Sequence, residues 1–218
     1  VQIQIGRVSI LLLLPFFVAV GLAPARGVIV LCCGDSITAG GYPHYLQRLF
    51  AADGIRARVL NRGRSGHRSG EYLSYLGHNE AELRELKPDF ILLQLGTNDV
   101  RTDLDRTACP EFEANMREIL RRLGSFKGRT GKPARILLGS ILPVPPSGTP
   151  VFDAASARRV TAEINPTIRR LAGEAGIPFV DNHALFLGRP DLLPEIHPSR
   201  EGYKALAAGW YRALKPLL

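Results

Sequence analysis

VIVLCCGDSITAGGYPHYL, residues 28–46, is where the fold can be read from the chain. The six residues from Val28 to Cys33 carry no charge and no polar alternation, the pattern of a strand covered on both faces. Gly34-Asp35-Ser36 breaks the run, and a helical pattern begins after Gly40-Gly41. A buried strand passing into a helix through a glycine-rich turn is the opening unit of a parallel α/β sheet. The turn leaves Ser36 at the carboxyl end of the strand, the edge at which open parallel sheets bind ligands.

The same alternation continues outward. Apolar runs at 27–33, 58–61, 90–95, 136–142 and 177–180 predict strands, and amphipathic patterns at 42–52, 71–86, 111–123, 154–175 and 200–214 predict helices. This order predicts a parallel sheet with helices on both sides. Gly54, Gly124 and Gly176 follow helical segments, where a left-handed cap favours glycine. With 218 residues, 45% of them hydrophobic, and no repeat or composition shift, one domain over 26–218 is expected.

The N-terminus reads differently. Residues 8–24, VSILLLLPFFVAVGLAP, follow Arg7 and lead into Ala23-Pro24-Ala25, which fits a secretory signal peptide over 1–25 and an exported, secreted or periplasmic protein. Interrupted by Pro15, the run is short for a membrane span, and none is expected after its removal. The formal net charge of +8 falls by one with Arg7. The arginines lie on helical patterns such as REILRRL, interleaved with acids and leucines, which points to solvated helix faces and away from nucleic acid. Cys32 and Cys33 face opposite sides of their strand and act as small core residues, a bond from one of them to Cys109 being the weaker reading.

The segments that follow the first four strands are GDSITAGG, RGRSGHRSG, GTNDVRTD and PVPPSGTPVFD. They combine glycine with serine, asparagine or aspartate on what should be one rim. Ser36 there can be a nucleophile if a base takes its proton. Of the five histidines, His197 precedes Pro198 in the loop before the last helix, where proline fixes the backbone. The N–H groups of Ser36 and Gly66 and the side-chain amide of Asn98 could donate to an oxyanion. No dense histidine or cysteine spacing suggests a metal, and no GxxxxGK[ST] suggests nucleotide hydrolysis.

Gly34-Asp35-Ser36, Gly66, Gly96-Thr97-Asn98-Asp99 and His197-Pro198, in that order, resemble the motif blocks of the SGNH (GDSL) hydrolase superfamily. The resemblance implies a three-layer α/β/α, flavodoxin-like fold with a five-stranded parallel sheet of order 2-1-3-4-5. It also implies a serine esterase that uses no metal and no cofactor. One position departs. The family usually has an aspartate three residues before the histidine, and here that residue is Pro194. Glu195, Asp191 or a main-chain carbonyl near Pro194 are the substitutes that could orient His197.

Other residues have plainer readings. Asp35 stabilises its turn, Asp99 braces the rim, Arg64 and Arg68 are surface arginines, His67 is a loop residue, and PVPPSGTP is a rigid border of the pocket. The function expected is hydrolysis of short-chain esters, acetylated carbohydrate among them, through an acyl-enzyme. The alternatives are a lysophospholipase or thioesterase of the same family, an acyltransferase, or a binding protein without turnover. In the last case the GDSITAG loop would cradle a phosphate.

Overall fold

The computed structural model describes residues 27–103, 109–145 and 151–218. The leader reading, residues 146–150 of PVPPSGTP and the side chain of Cys109 lie outside the described residues. Five strands, β1 Val28–Gly34, β2 Ala57–Gly63, β3 Phe90–Gln94, β4 Arg135–Gly139 and β5 Phe179–Val180, form one parallel sheet of order β2-β1-β3-β4-β5. Gly34 pairs with Gly63 on one side and Gln94 on the other, so β1, β2 and β3 end level. The turns that follow them therefore share an edge, as the sequence implied.

Helices cover both faces: α1 Ser36–Ala39, α2 Tyr42–Ala52, α3 Ser69–Glu85, α4 Cys109–Gly124, α5 Ala154–Arg159, α6 Asn165–Glu174 and α7 Arg200–Leu214. The twofold alternation of a strand sorts β1 between two cores. Leu31 and Cys33 join Leu76 of α3, Met116 of α4 and Ile168 of α6. Val30 and Cys32 join Leu46 and Phe50 of α2 and Leu206 and Trp210 of α7. Trp210 is fully buried and stacks on Tyr42 at 6.2 Å between ring centres. Large side chains buried this way each stabilise the fold by about 1.5–3 kcal/mol. Cys32 and Cys33 are free thiols inside these layers, and burial pushes the Cys33 thiol up to about 11. Unreactive packing follows from that.

Several boundaries differ from the sequence reading. The helix expected over 154–175 is divided by a π turn, Val160–Ile164. Pro166 has no N–H and would crowd the preceding turn, so the ladder shifts, and the Asn165 N–H reaches back five residues to the Val160 carbonyl. β5 shortens because Pro178 cannot donate, although its carbonyl still accepts from the Leu138 N–H at 3.0 Å. β4 stops at Gly139, beyond which the side chain of Asn165 takes over the pairing. Its Oδ1 accepts from the Ile141 N–H at 2.9 Å, and its Nδ2 donates to the Ile141 carbonyl at 3.1 Å. Gly54 and Gly176 have the expected positive φ, at 69° and 63°. Gly124 instead ends α4 without one. α1, only four residues long, was too short to show a period.

Gly139 marks the tightest joint between β4 and α7. A Cβ there would lie 2.6 Å from Asn182 Nδ2 and 2.7 Å from the Trp210 ring. The indole cannot yield without displacing Tyr42, so Gly139→Ala should destabilise the protein by about 1–3 kcal/mol. Urea denaturation followed by Trp210 fluorescence measures this, and an unchanged midpoint would contradict the packing described.

Candidate active site

The site begins where β1 runs out of room. At Gly34 a Cβ would collide with the Gln94 carbonyl and the Thr38 hydroxyl, so only glycine lets the chain turn there. Asp35 then caps α1, its Oδ1 accepting from the Ile37 N–H at 2.9 Å. The cap fixes Ser36 as the first helical residue, at the carboxyl edge of the sheet. Its Oγ lies 2.8 Å from His197 Nε2, across 161 residues of sequence.

His197 is held by the loop that carries it. Ser199 caps α7 through its Oγ, which accepts from the Gly202 N–H at 3.1 Å. The same hydroxyl donates to the Asp191 carbonyl at 2.9 Å, and the Ser199 N–H donates to the Leu192 carbonyl at 2.8 Å. Gly202 packs so closely on the Leu192 carbonyl that a side chain would not fit. Loop and helix start are thus stapled together, with His197 between the two fixings. Neither sequence candidate for an orienting acid touches the imidazole. Asp191 is engaged by Arg189 at 2.7 Å and 2.9 Å, and Glu195 is exposed. No main-chain carbonyl near Pro194 bonds the ring either, since among the described residues its hydrogen bond is the one to Ser36.

The two other rim segments close the opposite side. Gly66, between β2 and α3, has φ 79°, and open space lies where a Cβ would point. Asn98 opens a short 3-10 turn after β3, is 6% exposed, and donates one amide hydrogen to the His67 carbonyl at 3.0 Å. Next to it, Asp99 accepts from the Ser69 N–H at 3.0 Å and from the Ser69 hydroxyl at 2.5 Å. Both neighbours of the β3 turn therefore grip the segment that carries Gly66. Asp99 braces the rim, as the sequence suggested.

Ser36, Gly66, Asn98 and His197 line one cleft of about 600 Å³. Val151, Phe152, Ile196, Tyr203 and Arg101 also line it. Tyr203 was not singled out in the sequence. It stands six residues after His197, in the first turn of α7, and its hydroxyl covers Gly40 so closely that a Cβ there would clash. His67 contributes its carbonyl, while its ring packs edge-on against Tyr72 and Tyr75. Arg64 lies over the Tyr75 ring at 4.1 Å, and Arg68 pairs with Glu71 at 2.8 Å.

Two carboxylates sit beneath the rim, Asp35 fully buried and Asp99 half-buried. Burial raises the carboxyl of Asp35 from its ordinary 3.8 to about 6, against the opposing pull of the Ile37 N–H and Thr97, with Asp99 pushing it up further. Asp99 is raised as well, mainly by burial, although its bonds to Ser69 oppose this. A folded-state pKa above the unfolded value favours folding below pH 3.8, and this contribution is lost as the pH rises through about 6. Asn in place of Asp35 keeps a capping oxygen and removes the buried charge. The melting temperature of Asp35→Asn relative to the parent should therefore be higher at pH 7.5 than at pH 4. A difference that stays constant across this range would rule out the buried charge as its source.

A model of the GDSL-like lipase/acylhydrolase family matches residues 32–205. An acetylxylan esterase of Xylanibacter ruminicola is 28% identical over 217 residues, an alignment that covers 85% of this chain and 43% of that protein. This chain thus spans less than half the length of that relative. Among solved structures, the lipase/acylhydrolase from Enterococcus faecalis has a TM-score of 0.73 at 23% identity, covering 88% of this chain and 97% of that one. A carbohydrate acetylesterase family member from Sinorhizobium meliloti has a TM-score of 0.67 at 19% identity, covering 88% and 99%. The structural likenesses carry the fold, and the family match takes in every segment that lines up on the cleft edge: the chain belongs to the GDSL-like lipase/acylhydrolase family.

Proposed function

We propose that the chain is a serine hydrolase of short-chain esters, with acetyl groups on carbohydrate as the substrate class. The observation that carries this reading is the 2.8 Å contact between Ser36 Oγ and His197 Nε2, at the mouth of a cleft that also holds Gly66 and Asn98. His197 takes the Ser36 proton as Oγ attacks the ester carbonyl. The N–H groups of Ser36 and Gly66 and the free amide hydrogen of Asn98 receive the tetrahedral oxyanion. The intermediate collapses, the protonated His197 gives its proton to the leaving alcohol, and Ser36 keeps the acyl group. Water, activated by the same imidazole, then releases the acid and restores the hydroxyl.

The acetyl preference draws support from the esterases named above and from the shape of the cleft. Val151, Phe152, Ile196 and Tyr203 give it an apolar wall against which a short acyl group can pack. His197 in this reading relies on its stapled loop for orientation, so the imidazolium that forms has no carboxylate behind it. We further propose that the N-terminal segment directs export, which would bring the enzyme to polymeric carbohydrate outside the cell.

Hydrolysis of p-nitrophenyl esters from acetate to longer acyl chains tests the chemistry. Ser36→Ala and His197→Ala should each lower kcat by about a thousandfold or more, and Asn98→Ala by about 10²–10³-fold. Glu195→Gln and Asp191→Asn should leave kcat nearly unchanged. If either of these costs as much as His197→Ala, the loop-only account of imidazole orientation fails. A folded parent with no activity on any ester would overturn the hydrolase reading itself.

A further inference from the structure

The end of the molecule away from the cleft has its own chemistry. Between Lys127 and Arg135 the chain reads KGRTGKPAR, four basic residues without an acid. This stretch joins α4 to β4 as a tight turn. The Gly128 N–H donates to the Lys132 carbonyl at 2.9 Å, and the Gly131 N–H to the Gly128 carbonyl at 2.9 Å. Lys127, Lys132 and Arg135 are exposed there, and so is Lys87 from the turn before β3. Arg84, Lys87, Lys127 and Arg129 line a shallow depression of about 380 Å³.

The acids beside this patch are mostly occupied. Asp89 pairs with Arg129 at 2.8 Å and accepts from the Ile29 N–H at 2.8 Å, and Glu80 pairs with Arg84 at 2.6 Å. Glu85 is the exposed acid that remains close in sequence. The lysines therefore leave an excess of positive charge on this edge.

The edge is also where the chain enters the fold. Arg129 donates to the carbonyl of Gly27, at the foot of β1. Residues 8–24, without a single charge, stand just before this point in sequence. The cleft lies at the other end of β1, about 20 Å away for a strand of this length.

We propose that this basic edge docks on an anionic lipid surface and holds the catalytic cleft on the side away from the bilayer. Exposed lysine and arginine are drawn to acidic headgroups within a Debye length of about 8 Å. If it is retained on the chain, the apolar run that precedes Gly27 in sequence would bring lipid to this edge, and the basic turn would add an electrostatic attachment to the hydrophobic one. Acidic polymers would also meet the charge, but they give no role to the uncharged run beside it. The proposal concerns orientation and attachment and does not depend on which ester is cleaved.

The test is co-sedimentation of the full 218-residue chain with vesicles of phosphatidylcholine alone and of phosphatidylcholine mixed with phosphatidylglycerol. The parent should prefer the mixed vesicles by about tenfold or more, and the preference should fall as salt is raised. Lys127→Gln combined with Lys132→Gln should remove most of that preference. Arg158→Gln combined with Arg200→Gln, exposed positions in the last turn of α5 and at the start of α7, should leave it intact. Near-ultraviolet circular dichroism establishes that each variant is folded, and p-nitrophenyl acetate hydrolysis reports separately on the cleft. Equal partition into both vesicles, or an undiminished preference in the lysine variant, would overturn the proposal. Binding to soluble polygalacturonate without preference for the mixed vesicles would overturn it too, in favour of an acidic polymer.

Discussion

The cleft depends on three parallel strands ending level. Gly34, Gly63 and Gln94 meet side by side, and neither glycine could carry a side chain without striking backbone. At Gly63 the obstacle is the backbone of Ala39 and Asp35, which means that α1 rests directly on the end of β2. This crowding has a chemical consequence. It leaves the turn after β1 no freedom to wander, so the Ser36 hydroxyl emerges at a fixed height above the sheet. Everything brought to that point from elsewhere, His197 from the last loop and Asn98 from β3, is brought to a stationary target.

How each partner is held varies with what its segment can offer. The Gly66 segment lays Arg64 and His67 against Tyr75, and Asn98 and Asp99 grip it through one carbonyl and one helix start. That grip keeps the Asp99 carboxylate half-buried, with Asp35 wholly buried close by, and both carboxyls are pushed up as a result. The His197 loop is secured without such a charge, by Ser199 and the close approach of Gly202 to the Leu192 carbonyl. The cleft is therefore rigid on one side through carboxylates and on the other through backbone packing.

Much of this was legible in the chain, because the signals were local. Unbroken apolar runs such as FILLQ and RILLG declare strands covered on both faces, and the glycine-rich turns after them declare the working edge. Ser36, Gly66, Asn98 and His197 stood out because each lies in a turn or loop between the predicted elements, in short blocks that resemble those of the family. What stayed hidden depended on contacts between distant segments. Tyr203 becomes a wall of the cleft only because α7 docks against α1 and α2, which no linear pattern encodes. The π turn before Pro166 was masked by a helical period that continues on both sides of it. Pro194 drew attention to a missing acid, yet the fixings that stand in its place use Asp191 and Leu192 through their main-chain carbonyls, atoms that every residue has.

The side chain of Asn165 has a consequence for how this fold can change. By pairing with both backbone groups of Ile141, it finishes the sheet edge with an amide that belongs to another element. On the return side, the Val151 carbonyl accepts from the Thr102 N–H at 3.0 Å, and the Ser156 hydroxyl donates to the Val100 carbonyl at 2.7 Å. The stretch between these anchors is bracketed at both ends by bonds it does not itself supply. Leu142 and Val144 at its start are buried in the two cores, so drift over generations that keeps them need not shift Ser36. Because Val151 and Phe152 at its far end form part of the cleft wall, such drift would reshape what the cleft admits while the reacting groups stay where they are. The bracket makes this wall an interchangeable part, through which one scaffold can explore new substrates.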